Sequence, residues 1–180
     1  MSVSEWRFCG RFNDWIQDAV PETALTWIDE DEARRRYHDP LAELAVVPPV
    51  DPATGIVPWY ITVTTAENPS FTVTYQQLPG VPTSEARWKN LGDGRLFGHR
   101  AELWEYPAEH DPLLALRQHD AQMHVIVTNK EDGTGRLKIR EKGDPRVTTA
   151  DRRFDPAPLY APVPEWGHWD ELAAAPFPGQ

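Results

Sequence analysis

The chain has 180 residues, a net charge of −10 from 18 Lys and Arg against 28 Asp and Glu, 18 prolines, 8 tryptophans and one cysteine. That length suits one domain, able to bury roughly 70% of its unfolded surface without disulfides or a structural metal. The composition argues against a transmembrane protein, a disulfide scaffold, a zinc-finger array and a generic nucleic-acid binder: no apolar run reaches the ~18 residues of a membrane helix, and acids outnumber bases.

Phe8, Phe12, Trp15 and Ile16 recur at i, i+4, i+7 and i+8, which predicts an amphipathic helix over 4–19. Its start, MSVSEWRFCG, shows neither a basic region nor an apolar run, so no secretory signal is expected. With Cys9 alone among aromatic residues and read as a packed small hydrophobe, the expected compartment is the cytoplasm. DEDEARRRYH predicts a second helix over 29–38, with acid-to-base pairs four apart (Glu30–Arg34, Asp31–Arg35, Glu32–Arg36) on an exposed face. Pro40 closes it, LAELA at 41–45 reads as a possible further turn, and VVPPVDPATG reads as a linker.

The period then changes to two. In VPWYITVTT, Val57, Trp59, Ile61 and Val63 share one face, and in FTVTYQQ so do Phe71, Val73 and Tyr75; AENPS between them makes a hairpin. Residues 79–94 read as a long irregular loop carrying Trp88. RLFGHRAELWEY alternates again, with bulk on both faces, and predicts a central strand at 95–106. Asp111-Pro112 predicts a short helix over 111–118. MHVIVTNK and GRLKIRE predict a second hairpin across EDGTG. Seven of the prolines lie beyond residue 144, in a tail where Trp166 and Trp169 read as a latch onto the body.

The expected fold class is therefore α+β: an antiparallel sheet of about five strands, an N-terminal helical segment, one helix in a strand connection, and a Pro-rich tail docked on the body. A single domain is expected, with a helical segment at 1–48, the sheet with its inserted helix at 49–143, and the wrap at 144–180.

Signatures of catalysis are scarce. The four serines, at 2, 4, 70 and 84, make no G-x-S-x-G elbow, and no phosphate-binding glycine loop, C-x-x-C or H-E-x-x-H is present. NKEDGTG lacks the acids of a calcium loop and reads as a turn with bulge glycines. His110, His119 and His124 lie near Glu109, Asp111 and Asp120, but the five-residue step from His119 to His124 sets those two on opposite sides of a strand. Neither a metal nor a cofactor is expected.

The residues that stand out for binding are Trp88, Trp104, His99 and His124. His99 and His124 each fall in a predicted strand and could share a cavity with Glu102 or Glu105, an arrangement that would let a histidine act as an acid or base. Arg136, Lys138 and Arg140 form a basic stripe, read as a charge-protected edge or, more sharply, as a phosphate site.

Residues 1–129 carry a net −9, 130–153 a net +3, and 154–180 four acids and no base. An acidic body favours a basic protein partner and disfavours nucleic acid and membrane surfaces. In size and charge the chain resembles the immunity proteins that neutralise polymorphic toxins in bacteria, which implies an inhibitor that covers an active site without chemistry of its own. Two functional expectations follow. The first is a non-catalytic binding protein that docks a basic protein partner through an acidic face and the segment around Trp88. The second is a small-molecule enzyme or carrier with a pocket of His99, Glu102, Trp104 and His124 in a curved sheet.

Overall fold

Alternating apolar and polar residues become antiparallel strands, most of them joined to the next by a short turn. The computed structural model describes residues 6–13, 18–19, 27–39, 42–64, 67–108 and 116–175. Its elements are β1 (Arg7–Cys9), β2 (Phe12–Asn13), β3 (Asp18–Ala19), α1 (Glu30–Tyr37), β4 (Glu43–Val47), β5 (Trp59–Thr64), β6 (Ser70–Leu78), β7 (Val81–Asn90), β8 (Arg95–Glu105), β9 (Met123–Asn129), β10 (Thr134–Glu141), β11 (Val147–Arg153), β12 (Tyr160–Pro162) and α2 (Trp169–Ala173). β1 and then β4 through β11 pair in order in one sheet, β12 adds to β8, and β2 pairs β3 separately. The eleven-residue β8 serves two partners along one edge, β12 at Arg95–Phe97 and β9 at Arg100–Glu105.

The expected α+β class with about five strands is corrected. Among the described residues the protein is mainly β, a single ten-strand antiparallel meander with only 13% helix, 3-10 turns included, and two short α-helices. The helix expected over 4–19 is replaced by β1, β2 and β3; Trp15 and Ile16 lie outside the described residues. Pairing explains the difference. Phe8 and Cys9 sit opposite Val46 and Ala45 and point into different apolar clusters, which a one-sided helical stripe could not do. Residues 79–94 are not a loop. Pro79-Gly80 makes a tight turn with Gly80 at φ +70°, and β7 runs straight out of it. The helix expected over 111–118 falls mostly outside the described residues, and the chain re-enters through a single 3-10 turn, Gln118–Asp120.

The helix expected over 29–38 is α1. Asp29 caps it by accepting the Glu32 amide at 2.8 Å, and Glu30 and Glu32 pair with Arg34 and Arg36 one turn on. Arg35 pairs with Glu32 rather than with Asp31.

Apolar cover decides which part of the sheet can be a site. On one face Leu44, Val46, Ile61, Val63, Phe71 and Val73 lie beneath α1 and the C-terminal segment, with Trp169 fully buried among them. That segment is fixed by hydrogen bonds from Trp6 Nε1 to Gly167 O (3.0 Å), Trp166 Nε1 to Glu30 (2.9 Å) and Tyr75 Oη to Ala173 O (2.6 Å). On the other face Cys9, Phe12, Ala45, Val47 and Val57 form a smaller cluster over β1, β4 and β5 only. Across β7 to β11 this second face carries charge instead. No helix among the described residues is long and apolar enough to cross a membrane.

Candidate functional site

One extra residue builds the site. Trp88 in β7 pairs with Gly98 in β8, but the preceding Arg87 pairs with Arg100, so His99 is a β-bulge. Side chains alternate along a strand, and an unpaired extra residue reverses their phase. Upstream of the bulge Leu96 lies in the main core beside Trp88; downstream Arg100, Glu102 and Trp104 turn to the opposite, charged face.

Cross-strand register then assembles the neighbours. Arg87, Arg100, Thr128, Arg136 and Asp151 form one row, and Glu85, Glu102, Ile126 and Lys138 the next. Trp104, His124 and Arg140 form a third. Arg87 and Arg100, like charges directly opposite, would destabilise the pair alone. Glu102 reconciles them. Only 5% exposed, it accepts from Arg100 Nε at 2.8 Å and lies 3.5 Å from an Arg87 Nη. His124 Nε2 lies 2.8 Å from the other carboxylate oxygen. Burial raises the Glu102 pKa, but hydrogen bonds from Arg100 and His124, and their charge, hold it below the usual carboxylate value. An ionised Glu102 can only accept, so His124 donates through Nε2 and its other ring nitrogen, Nδ1, is the one left for a ligand. The imidazole stacks on Trp104, centroids 5.1 Å apart and planes 13° apart, which fixes its plane.

Above this dyad lies a cavity of about 550 Å³, lined chiefly by Arg100, Glu102, Trp104, His124, Arg140 and Lys142. Lys142 reaches Asp120 at 3.5 Å, while Arg140 makes no ion pair among the described residues. Three cations line the cavity; Glu102 and Asp120 engage Arg100 and Lys142, and Arg140 is left over. The cavity is therefore built for an anion, with an imidazole held ready to donate or accept.

The structure brings together three of the residues singled out from sequence, Glu102, Trp104 and His124. His99 is half-buried at the bulge and does not line the cavity. Burial first, then Arg87, Arg100 and Lys89, lower its pKa. Trp88 is 1% exposed within the core, and its Nε1 has no hydrogen-bond partner among the described residues. It therefore offers no surface to a partner. Arg100, Arg140 and Lys142 were not among the sequence candidates for this pocket; the signal for Arg140 and Lys142 was the alternation of cations along GRLKIREK, and Arg100 carried none because the bulge at His99 sets its side. Among the described residues no group of three His, Cys, Asp or Glu could hold a metal, and His110 lies outside them. The EDGTG segment is a turn: Gly133 is at φ +79°, and Asp132 accepts from the Thr134 amide and hydroxyl.

No protein-family model, curated protein or solved structure matches the chain.

Proposed function

We propose that the protein binds a small anionic molecule, a phosphate or carboxylate compound, in the cavity over Glu102, His124 and Trp104. The single observation that carries this reading is the charge of the lining: among the described residues Arg100, Arg140 and Lys142 face a cavity whose one lining acid, Glu102, is already held by Arg100 and His124, with Asp120 reaching Lys142 from its edge. This is the pocket reading of the sequence, with His124 as its imidazole and His99 left out. Whether His124 also moves a proton depends on the ligand it meets.

Docking of a basic protein, including an immunity-type role, rests on the net charge of −10. Less supports it, because Glu30, Glu32, Glu85, Asp93, Glu102 and Asp144 are each already engaged by a cation, and Trp88 is enclosed. A pull-down at low and moderate salt tests that role.

The cavity reading is tested by titrating the 15N-histidine-labelled protein with inorganic phosphate and with citrate. The expected result is a saturable shift of the His124 resonances, weakened roughly three- to tenfold by Arg140→Gln, the loss of one charge-assisted hydrogen bond. No shift, or one indifferent to Arg140→Gln, overturns it.

A further inference from the structure

We infer that the same sheet face binds the backbone of single-stranded nucleic acid, the anion in the His124 cavity being one phosphate of a chain. This rests on the anion-binding reading above. A second cavity, of about 700 Å³, lies on the same face and is lined by Thr128, Lys130, Arg136, Asp151, Arg152 and Arg153 among others. The two cavities are neighbours in the sheet, since Thr128 of the second pairs with Arg100 of the first and Arg136 continues that row.

Arg136, Lys138 and Arg140 run from one cavity to the other along β10, at alternate positions and therefore on one face. Alternate strand residues are about 6.7 Å apart, close to the step between successive phosphates of an extended single strand. Neither Lys138 nor Arg140 makes an ion pair among the described residues, and Arg136 is held only by the exposed Asp151 at 2.9 Å, a contact that a phosphate can replace.

The aromatic pair completes the pattern. Unspecific single-strand sites combine a cationic track with a ring on which a base can stack. Here Trp104, only 7% exposed, backs the half-buried His124, so the ring offered to a base at this end of the track is the imidazole, which lines the cavity. The net charge of −10 does not preclude this, because salt screens exposed charges beyond about 8–10 Å, leaving the local face to decide.

Fluorescein-labelled oligothymidylate and oligouridylate, titrated by anisotropy at several salt concentrations, test the inference. Binding should tighten as salt falls, and Lys130→Gln and Lys138→Gln should each weaken it several-fold. Each should also lower the slope of log K against log salt by about 0.7. Lys130 lies outside the His124 cavity, so its variant should leave the phosphate shift of His124 unchanged. If phosphate shifts His124 but neither oligomer binds more tightly than phosphate, or binding ignores Lys130 and Lys138, the inference falls and the small-anion reading stands. If phosphate also fails to shift His124, both fall. Circular dichroism of each variant separates lost binding from lost folding.

Discussion

Leu96 and Trp104 are eight residues apart on one strand yet lie on opposite faces of the sheet, Leu96 wholly buried in the main core and Trp104 over the charged cavity. An even spacing should put them on the same side. His99, the unpaired residue between Gly98 and Arg100, reverses the phase. Its role in the fold is thus positional, and its side chain matters less than its place in the count. Deleting His99 would turn Glu102 and Arg100 into the apolar layer, where unpaired charges cost several kcal/mol each. The deletion is expected to abolish cooperative unfolding, whereas His99→Gln should change stability by less than about 1 kcal/mol. Urea unfolding followed by tryptophan fluorescence distinguishes the two.

Glu102 is the common partner of Arg87, Arg100 and His124. Glu102→Gln keeps the shape but removes the anion, and its expected cost is about 3 kcal/mol, the scale of breaking a largely buried pair. The same variant should weaken the orientation of His124, so its resonances should broaden or move without ligand.

Two limbs are expected in the pH dependence of stability. Folding lowers the pKa of His99 below the ordinary 6.5, so the unfolded chain takes up the proton first and stability falls as pH drops through that region. Folding also lowers the Glu102 pKa below the ordinary 4.5; its contribution is present above that value and is lost as pH falls through the folded value. His99→Gln should flatten the upper limb alone, and Glu102→Gln should reduce only the lower one, which other paired carboxyls such as Asp93 and Asp144 share. Unfolding midpoints in urea from pH 8 to pH 3 read both.

Those strands that bury one face were legible in the sequence. β5 and β6 show it: Ile61 and Val63 alternate with Thr62 and Thr64, and Phe71 and Val73 with Thr72 and Thr74. β4 was not legible because it is covered on both sides, Leu44 and Val46 by one cluster and Ala45 and Val47 by the other, so ELAVV shows no alternation. β11, VTTADRR, failed for the opposite reason: it is an exposed edge with almost no apolar face. β7 carried a readable signal, with Ala86 and Trp88 inward and Glu85 and Arg87 outward, that its flanking prolines and glycines obscured. The Glu102–His124 pair joins strands whose pairing no local pattern specifies, and a bulge leaves only the ambiguous mark of bulk on both faces.

The weight of the C-terminal segment in the fold can be measured. Trp169 is fully buried and packs within 6.0 Å of Tyr37 and 6.4 Å of Phe71, ring to ring. Trp169→Ala removes that indole from beneath α1 and is expected to cost about 3–5 kcal/mol. Tyr75→Phe, which removes the hydroxyl that reaches Ala173 O, should cost only about 1 kcal/mol. Guanidinium unfolding of both variants checks the ratio, and comparable losses would mean that the latch is held by hydrogen bonds and not by packing.

Trp88 and Trp104 separate the two functional readings most directly, because both were singled out for contact and the fold gives them different places. Trp88 is enclosed beside Ala86, Leu96 and Phe71, and pairs across the sheet with Gly98. Trp88→Phe should cost about 1–3 kcal/mol through lost volume, its Nε1 having no hydrogen-bond partner among the described residues. Phosphate binding, read from the His124 resonances, should be unchanged in that variant. Trp104→Ala removes the plane against which the imidazole lies and should weaken phosphate binding several-fold even under conditions where the variant remains fully folded. The opposite pattern, ligand binding lost with Trp88 and kept without Trp104, would move the site away from the cavity and back toward β7.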